Sequence, residues 1–418
     1  MLYELFLMRC GLTLYGSLMQ TCPHNTSMWH NKNYIKLLSA QIISLSGTGI
    51  SSICLALLAY NLAGDNAAMV LSISFAIKML AYIGLAPIFG VIIHRLPKQK
   101  TLIALDIIRA VMFISLPFVT QIWQVYVLMF VINACSAGFT PLFQSTLPTI
   151  LPIKHQYTTA LSISRMAYDL EQLLSPLLTA LFLLVVSFKS LFIFDAVTFI
   201  VSAALILTCK LPQVVSDRYD TVSISSVFGN IKNYINHPSL KSLWFAYLSA
   251  ASASAMVLVN TVVYVHEVLN GNEAQTAIAM MIVGLGSMVI AFLLPKLLDR
   301  YRPQRFHWLG MFTLIFAFAL GSFTPSWVGY ALVCFAMGVG MSCIQTSAGL
   351  LITDACSDND SGPFFAAHFS LTHFWWLITY LVAGFSVTTW GLSVGYLTMG
   401  SLCLISLISY CYISIYKR

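Results

Sequence analysis

The sequence predicts an all-α integral membrane protein whose twelve transmembrane helices form two six-helix bundles. Apolar segments of about 20 residues recur from Tyr34 to Ile415, charged residues are rare, and Lys and Arg collect at alternate junctions. An apolar helix of about 20 residues spans the ~30 Å hydrocarbon core of a bilayer. Only helices and closed barrels satisfy their backbone polar groups there, and these segments are too long and too continuously apolar for barrel strands.

Composition agrees with this class. Hydrophobic residues make up 59% of the 418 residues and charged residues only 8%, whereas soluble domains carry about 25% charged residues. The net charge of +7 is spread over short loops, which argues against a nucleic-acid partner. The ten cysteines lack metal-ligand spacing, so we expect no disulfide framework, zinc site or other cofactor.

The predicted spans follow one another along almost the whole chain. In order they cover 36–62, 67–93, 101–120, 123–150, 159–187, 190–209, 241–266, 275–297, 306–323, 327–352, 363–387 and 392–415. Lys and Arg lie at the even-numbered junctions, whereas the odd-numbered junctions hold only Lys189. The positive-inside bias therefore predicts that the even junctions and both termini are cytoplasmic.

The longest polar stretch divides the predicted helices into six and six. We predict an N-terminal extension over 1–28, a first bundle over 29–210, a cytoplasmic linker over 211–240 and a second bundle over 241–418. The extension is a poor signal peptide, because it lacks a basic start and a small-residue cleavage site. Translation that begins at Met28 and an amphipathic interfacial helix are the two alternatives for it.

The ends of the second and eighth predicted helices resemble each other. Gly90-Val-Ile-Ile-His94-Arg95-Leu-Pro97-Lys98 matches Pro295-Lys-Leu-Leu-Asp299-Arg300-Tyr-Arg302-Pro303. The motif resembles the signature loop G-x-x-x-D-R-x-G-R/K of the major facilitator superfamily, although histidine replaces the usual aspartate and proline the usual glycine in the first copy. The resemblance implies two parallel repeats around a midplane solute site.

In that family the charged groups of the loops latch the two bundles together on the cytoplasmic side. The residues that correspond to this latch are Gly90, His94, Arg95, Asp299 and Arg300. A histidine at position 94 puts the acidic half of the first loop in doubt, whereas Asp299 keeps the expected acid in the second copy.

Further motifs resemble the branch that contains macrolide-efflux and siderophore-export proteins. They are Gln41 with Ser44-Leu-Ser-Gly47, Asp106-Ile-Ile-Arg109, Phe139-Thr-Pro141 through Leu147-Pro148, Ser164-Arg165, Asp195-Ala-Val-Thr-Phe199 and 227–238. The resemblance covers roughly 31–240. It implies a monomeric multi-pass carrier in the inner membrane of a bacterium that exports an amphipathic drug or siderophore, with the proton as coupling ion.

A charged side chain near the bilayer centre costs about 3 kcal/mol, so each one needs a partner, a watery cavity or a function. Asp106 and Arg109 lie three residues apart on one helix face and can pair. Arg165 and Asp169 form an i,i+4 pair, although Asp169 also remains a candidate for proton binding. We interpret Asp195, close to the outer junction, as structural.

Lys78, Glu171, His368 and His373 complete the candidates for solute or proton binding. Glu171 falls near the midpoint of the fifth predicted helix, where a carboxylate can exchange a proton near neutral pH. A buried ion pair with Lys78 is the alternative. Lys78 itself would neutralise an acid or bind an anionic group on the solute.

The two histidines suggest a rival substrate, a divalent metal ion. They lie five residues apart, about 140° around a helix, so they do not form one metal-binding face. Transition-metal carriers would also present more convergent ligands. A non-transporting receptor or a membrane enzyme is a second alternative, but the enzyme motifs HExxH and GxSxG are missing, and without a phosphate-binding P-loop ATP does not drive transport.

Overall fold

The structure is a computed structural model and describes most of the chain. The described residues are 28–92, 97–153, 181–211, 224–298, 300–323, 326–356 and 362–416, together with separate positions between 156 and 179. Every regular element among them is helical, which confirms the predicted fold class. The predicted cytoplasmic position of the termini stays a prediction.

Among the described residues, the first half of the chain contributes five long helices. They are α1 (Lys32–Ala63), α2 (Ala67–Ile92), α3 (Lys98–Ser115), α4 (Ile122–Ile150) and α5 (Phe188–Leu207). Asn31 caps the start of α1, because its side chain accepts hydrogen bonds from the backbone N–H groups of Asn33 and Tyr34. The predicted span 159–187 lies between α4 and α5, and its few described positions up to 183 are helical.

Within the described part of the chain, the second half contributes eight helices. They are α6 (Ile224–Asn236), α7 (Pro238–Val263), α8 (Glu273–Leu298), α9 (Pro303–Ser322), α10 (Trp327–Thr346), α11 (Ala348–Cys356), α12 (Gly362–Trp390) and α13 (Leu392–Tyr416). A π-helical turn, Tyr264–Val268, continues α7. In the described ranges, eleven helices are long and apolar enough to cross a membrane; the remaining predicted span, 159–187, is largely outside those ranges.

The predicted helix 327–352 differs in one respect. The structure breaks it at Ser347, between α10 and α11. The Ser347 hydroxyl donates to the backbone carbonyls of Cys343 and Ile344, at 3.0 and 3.2 Å. Such bonds from a serine to the preceding turn bend helices, which an apolar run cannot reveal.

The helices of each half pack mainly against one another. In the first half α1 packs on α5, α2 on α4, and α3 on both α4 and α5. In the second half α7 packs on α12 and α13, and α10 on α8 and α9. The halves meet where α2 contacts α12 and where α7 contacts α1 and α2. The exact boundaries of the two bundles and the linker stay predictions.

Large apolar side chains cover the outside of the molecule. Phe316, Val328 and Leu404 are 64%, 74% and 46% exposed, and many other apolar residues on the outward helix faces are similarly exposed. So much exposed apolar surface is costly in water but matches the hydrocarbon core of a bilayer. The helices are therefore placed as expected for a multi-pass membrane protein.

Candidate transport site

A small polar cavity lies inside the first half of the molecule. Its polar lining comes from Thr48, Ser51 and Ser52 of α1, Lys78 of α2 and Asn133 of α4, and apolar side chains complete the wall. The space is large enough to hold one water molecule, and five polar side chains contribute to its mostly apolar wall. The cavity is thus a place where a charged side chain can be tolerated within the membrane.

Lys78, which lines this cavity, lies within electrostatic reach of Glu171. Both side chains are partly exposed. The Glu171 carboxylate rests against the α1 backbone at Gly49, where an added Cβ would collide with it and with Ser175. The sequence places these two charges 93 positions apart, and the fold brings them together.

Asp106 and Arg109 contact each other as an ion pair. Asp106 is fully buried and also accepts a hydrogen bond from the Ser202 hydroxyl of α5 at 2.7 Å. The Arg109 guanidinium lies over the rings of Phe139 and Phe199, at 4.5 and 4.3 Å from their centroids. Its charge is therefore stabilised by a carboxylate and by two aromatic faces, and it joins α3 to α4 and α5.

Asp195 on α5 is completely buried beside α1. Its Oδ2 accepts a hydrogen bond from the Ser51 hydroxyl at 2.5 Å, and its Oδ1 accepts one from the Thr198 hydroxyl at 3.2 Å. Gly47 permits this approach, because a Cβ at that position would collide with Asp195 and Thr198. Asp195 thus reaches the wall of the cavity through Ser51.

His373 lies at the contact between α2 and α12. Its ring centroid is 5.4 Å from that of Tyr82, one helical turn beyond Lys78, and it packs edge-on against Trp376. Its Nδ1 lies 2.6 Å from the Phe369 carbonyl. His373 therefore belongs to the aromatic packing between the two halves.

His368 lies elsewhere, under the amphipathic helix α6. Its Nδ1 is 2.7 Å from the hydroxyl of Tyr234, and Tyr247 packs edge-on against its ring. Burial raises the pKa of Tyr234, so its phenol stays protonated and forms a hydrogen bond with the histidine nitrogen. His368 therefore connects the predicted linker region to α12, and it is not part of the cavity lining described above.

Five of the residues predicted from the sequence lie outside the part of the chain that the structure describes. They are His94, Arg95, Arg165, Asp169 and Asp299. Gly90 is in the last turns of α2, and Arg300 lies exposed in the turn after α8. Within the described ranges no group of three or more His, Cys, Asp or Glu residues is arranged to hold a metal ion.

Two aromatic rings connect the two halves of the molecule near the ends of α1 and α7. Tyr60, near the end of α1, stacks with His266 in the π-helical turn after α7, with ring centroids 4.2 Å apart. By the predicted topology this is the outer side of the membrane. The two halves are thus joined near the ends of α1 and α7.

The family model of the Major Facilitator Superfamily matches residues 37–378. The chain belongs to the major facilitator superfamily. The resemblance drawn from the loop motifs is confirmed at this level, and the family is one of membrane transporters rather than of enzymes.

Relatives known by sequence point to efflux proteins. An uncharacterized MFS-type transporter of Bacillus subtilis, YfiS, is 28% identical over 179 residues, 42% of each chain. Macrolide efflux protein A of Streptococcus pyogenes is 24% identical over 199 residues, which are 46% of this chain and 48% of that protein. The matches therefore span less than half the length of these relatives.

Solved structures show the same fold over nearly the whole chain. The nucleoside transporter NupG superposes with a TM-score of 0.68 at 13% identity and covers 92% of this chain and 100% of its own. A POT family transporter in complex with 5-aminolevulinic acid gives a TM-score of 0.72 at 11% identity, covering 93% and 97%. At such identities the likeness concerns the fold.

Three features of the site were not predicted from the sequence. The contact of Ser51 with Asp195, the position of Arg109 between two rings and the docking of Tyr234 on His368 all join residues far apart in the chain. One signal was available for the last of them, because apolar residues recur every three or four positions over 224–236 and indicate an amphipathic helix.

Proposed function

We propose that the protein exports a small amphipathic organic solute across the cytoplasmic membrane of a bacterium, in exchange for protons, by alternating access. Membership of a transporter family supports solute transport, and the macrolide efflux relatives support the direction and the solute class. The two halves would rock about their interface and expose the central space to each side in turn.

The observation that carries the proton in this proposal is the proximity of Glu171 to Lys78, whose side chain lines a cavity large enough for a water molecule. A carboxylate that has a nearby ammonium group and access to water can lose and regain a proton as its surroundings change. A pair of charges beside such a space suits proton exchange better than a pair enclosed in apolar packing.

Reconstitution into vesicles tests the proposal. Vesicles with an acidic interior should accumulate a radiolabelled macrolide, because protons that leave through the carrier drive the solute inward. A protonophore should abolish the accumulation, and vesicles without protein serve as the control. Failure to accumulate any macrolide under a proton gradient would contradict the proposal, and accumulation that survives the protonophore would remove the proton from it.

A further inference from the structure

We propose that Asp195 is a proton-binding acid of this carrier and that the Ser51 hydroxyl connects it to the water-accessible cavity. The inference rests on the proposed exchange of solute for protons and adds a second acid to it. Its basis is the position of one serine, which contacts a fully buried carboxylate on one side and lines the cavity on the other.

The contacts of Asp195 suit a carboxyl group that takes up a proton. Its described side-chain partners are hydroxyl groups, those of Ser51 and Thr198, and it forms no ion pair within the described residues. An isolated carboxylate that is buried without a cation is costly and tends to be neutralised. Hydroxyl partners accommodate both states, because they can donate to the carboxylate and accept from the acid.

The charges that face Asp195 from the neighbouring elements support this assignment. The Arg109 guanidinium of α3 is within electrostatic reach but is engaged by Asp106, and Glu171, from the segment 156–183, adds a negative charge. From α1 the titratable neighbour is the Cys54 thiol. Because Arg109 is already paired with Asp106 and Glu171 is itself negative, little positive charge is left to stabilise the ionised form of Asp195.

Asp106 and Asp195 differ in the partners that stabilise their carboxyl groups. Both acids are fully buried, and each accepts a hydrogen bond from a serine hydroxyl. Asp106, however, contacts a guanidinium that two aromatic rings hold in place. The charge of the Asp106 carboxylate is thus compensated by a cation, whereas the described side-chain partners of Asp195 are hydroxyl groups.

Proton transfer to Asp195 through Ser51 involves two proton movements, one from the serine hydroxyl and one to it. The O–H bond of Ser51 breaks as its proton moves to Oδ2 of Asp195, and a hydronium ion in the cavity gives a proton to the serine oxygen. The net result is one proton moved from water to the carboxylate, and Ser51 is unchanged. The reverse sequence returns the proton when the cavity faces the other side.

Infrared difference spectroscopy of the purified full-length protein in lipid vesicles tests this directly. In the Glu171→Gln background, which removes the other proposed proton-binding acid, the protein should show a protonated-carboxyl band that disappears as the pH is raised, and adding Asp195→Asn should remove that band. Ser51→Ala should shift its frequency, because a hydrogen-bond partner is lost. Ser52→Ala is the matched control, since Ser52 lines the same cavity but donates to the Thr48 carbonyl, and it should leave the band in place.

Two results would overturn the assignment. One is a titrating band that stays unchanged when Asp195→Asn is added to Glu171→Gln, and the other is a Glu171→Gln protein without any such band. If Asp195→Asn does not fold, the serine variants decide, and an equal response of Ser51→Ala and Ser52→Ala counts against the proposal.

Transport in the same vesicles separates this inference from the proposed function. With a radiolabelled macrolide as probe, Asp195→Asn should retain exchange of labelled for unlabelled solute while its accumulation under a pH gradient falls to the level of protein-free vesicles. Gradient-driven accumulation at the wild-type rate would refute the role of Asp195. If the wild type moves no macrolide at all, the proposed function fails, and the infrared result still decides the proton site.

Discussion

Charged residues inside the first half of the molecule differ mainly in what stabilises them. Arg109 is held by a carboxylate and two rings, Asp195 by hydroxyl groups, and Lys78 and Glu171 by each other and by a polar cavity. Because a charge in the membrane is costly unless it is compensated, the kind of compensation determines what a substitution does at each position.

Glu171→Gln keeps the size and the hydrogen-bonding capacity of the side chain but removes the proton that it can exchange. If Glu171 couples transport to protons, accumulation under a pH gradient should fall by about 10²-fold or more, the range in which proton-transfer groups contribute. Binding of the solute, measured by equilibrium dialysis, should survive. Unchanged accumulation would remove Glu171 from the mechanism.

Lys78→Met keeps most of the side-chain length and deletes the charge. Glu171 then loses a counter-charge, so we expect a loss of stability of about 3 kcal/mol, at the lower end of the cost of breaking a buried pair, because both groups are partly exposed. Thermal unfolding in detergent measures it. The double variant Lys78→Met/Glu171→Gln should recover part of the loss.

If Lys78 instead binds an anionic group on the solute, the outcome differs. Lys78→Met would then fold with normal stability, transport neutral solutes and fail with anionic ones. Normal stability together with normal transport of both solute types would show that Lys78 only extends into the polar cavity.

The residue-level predictions from sequence depended on how far apart the partners lie. Asp106 and Arg109 are three positions apart on one helix, so the helical repeat alone places them in contact. The position of Asp195 close to the outer junction favours a structural interpretation, and nothing in the local sequence reveals Ser51, 144 positions away. Its partner is determined by the register between α1 and α5, which the packing of whole helix faces decides.

At the scale of single helices, α1 is shaped by two glycines. Gly47 faces Asp195 and Thr198 of α5, and Gly49 faces Glu171 and Ser175. Small residues let helix backbones approach closely in membranes, where packing rather than water drives association. The two glycines therefore allow Asp195 and Glu171 to lie directly against the α1 backbone.

Gly47→Ala should destabilise the protein by separating α1 from α5, because its Cβ would collide with Asp195 and Thr198. We expect a loss of about 1–3 kcal/mol, the usual cost of overpacking, measured as a lower temperature of thermal unfolding in detergent. Gly84→Ala is the control, since a Cβ there has no neighbour within 4 Å. Equal effects of the two substitutions would contradict the proposed close approach.

Helix α6 is the other element whose role depends on a single contact. Tyr234→Phe removes the hydroxyl that forms a hydrogen bond with Nδ1 of His368 and should lower stability by about 1–3 kcal/mol, because a buried hydrogen bond is lost. Thermal unfolding measures the change. Tyr126→Phe, on α4 and partly buried, controls for the loss of a tyrosine hydroxyl elsewhere, and an equal effect there would argue against a specific role for Tyr234.

The sequence predicted most elements because apolar length is a strong signal. The spans at 67–93 and 392–415, for example, agree with α2 and α13 to within one residue at each end. The break at Ser347 and the helix within the linker were missed for physical reasons. A side-chain bond to the backbone and a short amphipathic helix both leave the hydropathy of a 20-residue window nearly unchanged.

At the scale of the whole molecule, the two halves are joined at several levels of their interface. Tyr60 packs against His266 near the ends of α1 and α7, and Tyr82 of α2 contacts Phe369 and His373 of α12. Between them the Ser72 hydroxyl donates to the Tyr380 carbonyl at 2.8 Å. Alternating access requires some of these contacts to break in turn.

Linking α1 to the end of α7 should therefore stop transport. A short reversible thiol cross-linker applied to Tyr60→Cys/His266→Cys should abolish macrolide accumulation in vesicles, and cleaving the link should restore it. Each single variant treated with the same reagent controls for the native cysteines. Full accumulation by cross-linked protein would show that this end need not open.

The contact between Ser51 and Asp195 lies wholly within the first half of the chain. Hybrid proteins could make use of this. If the first half of this chain were fused to the second half of a related transporter, the related transporter would supply half of the surface that recognises the solute. Ser51 and Asp195 would both be retained, together with the contact between them. Such hybrids would have a different solute specificity while keeping the same residues for proton coupling.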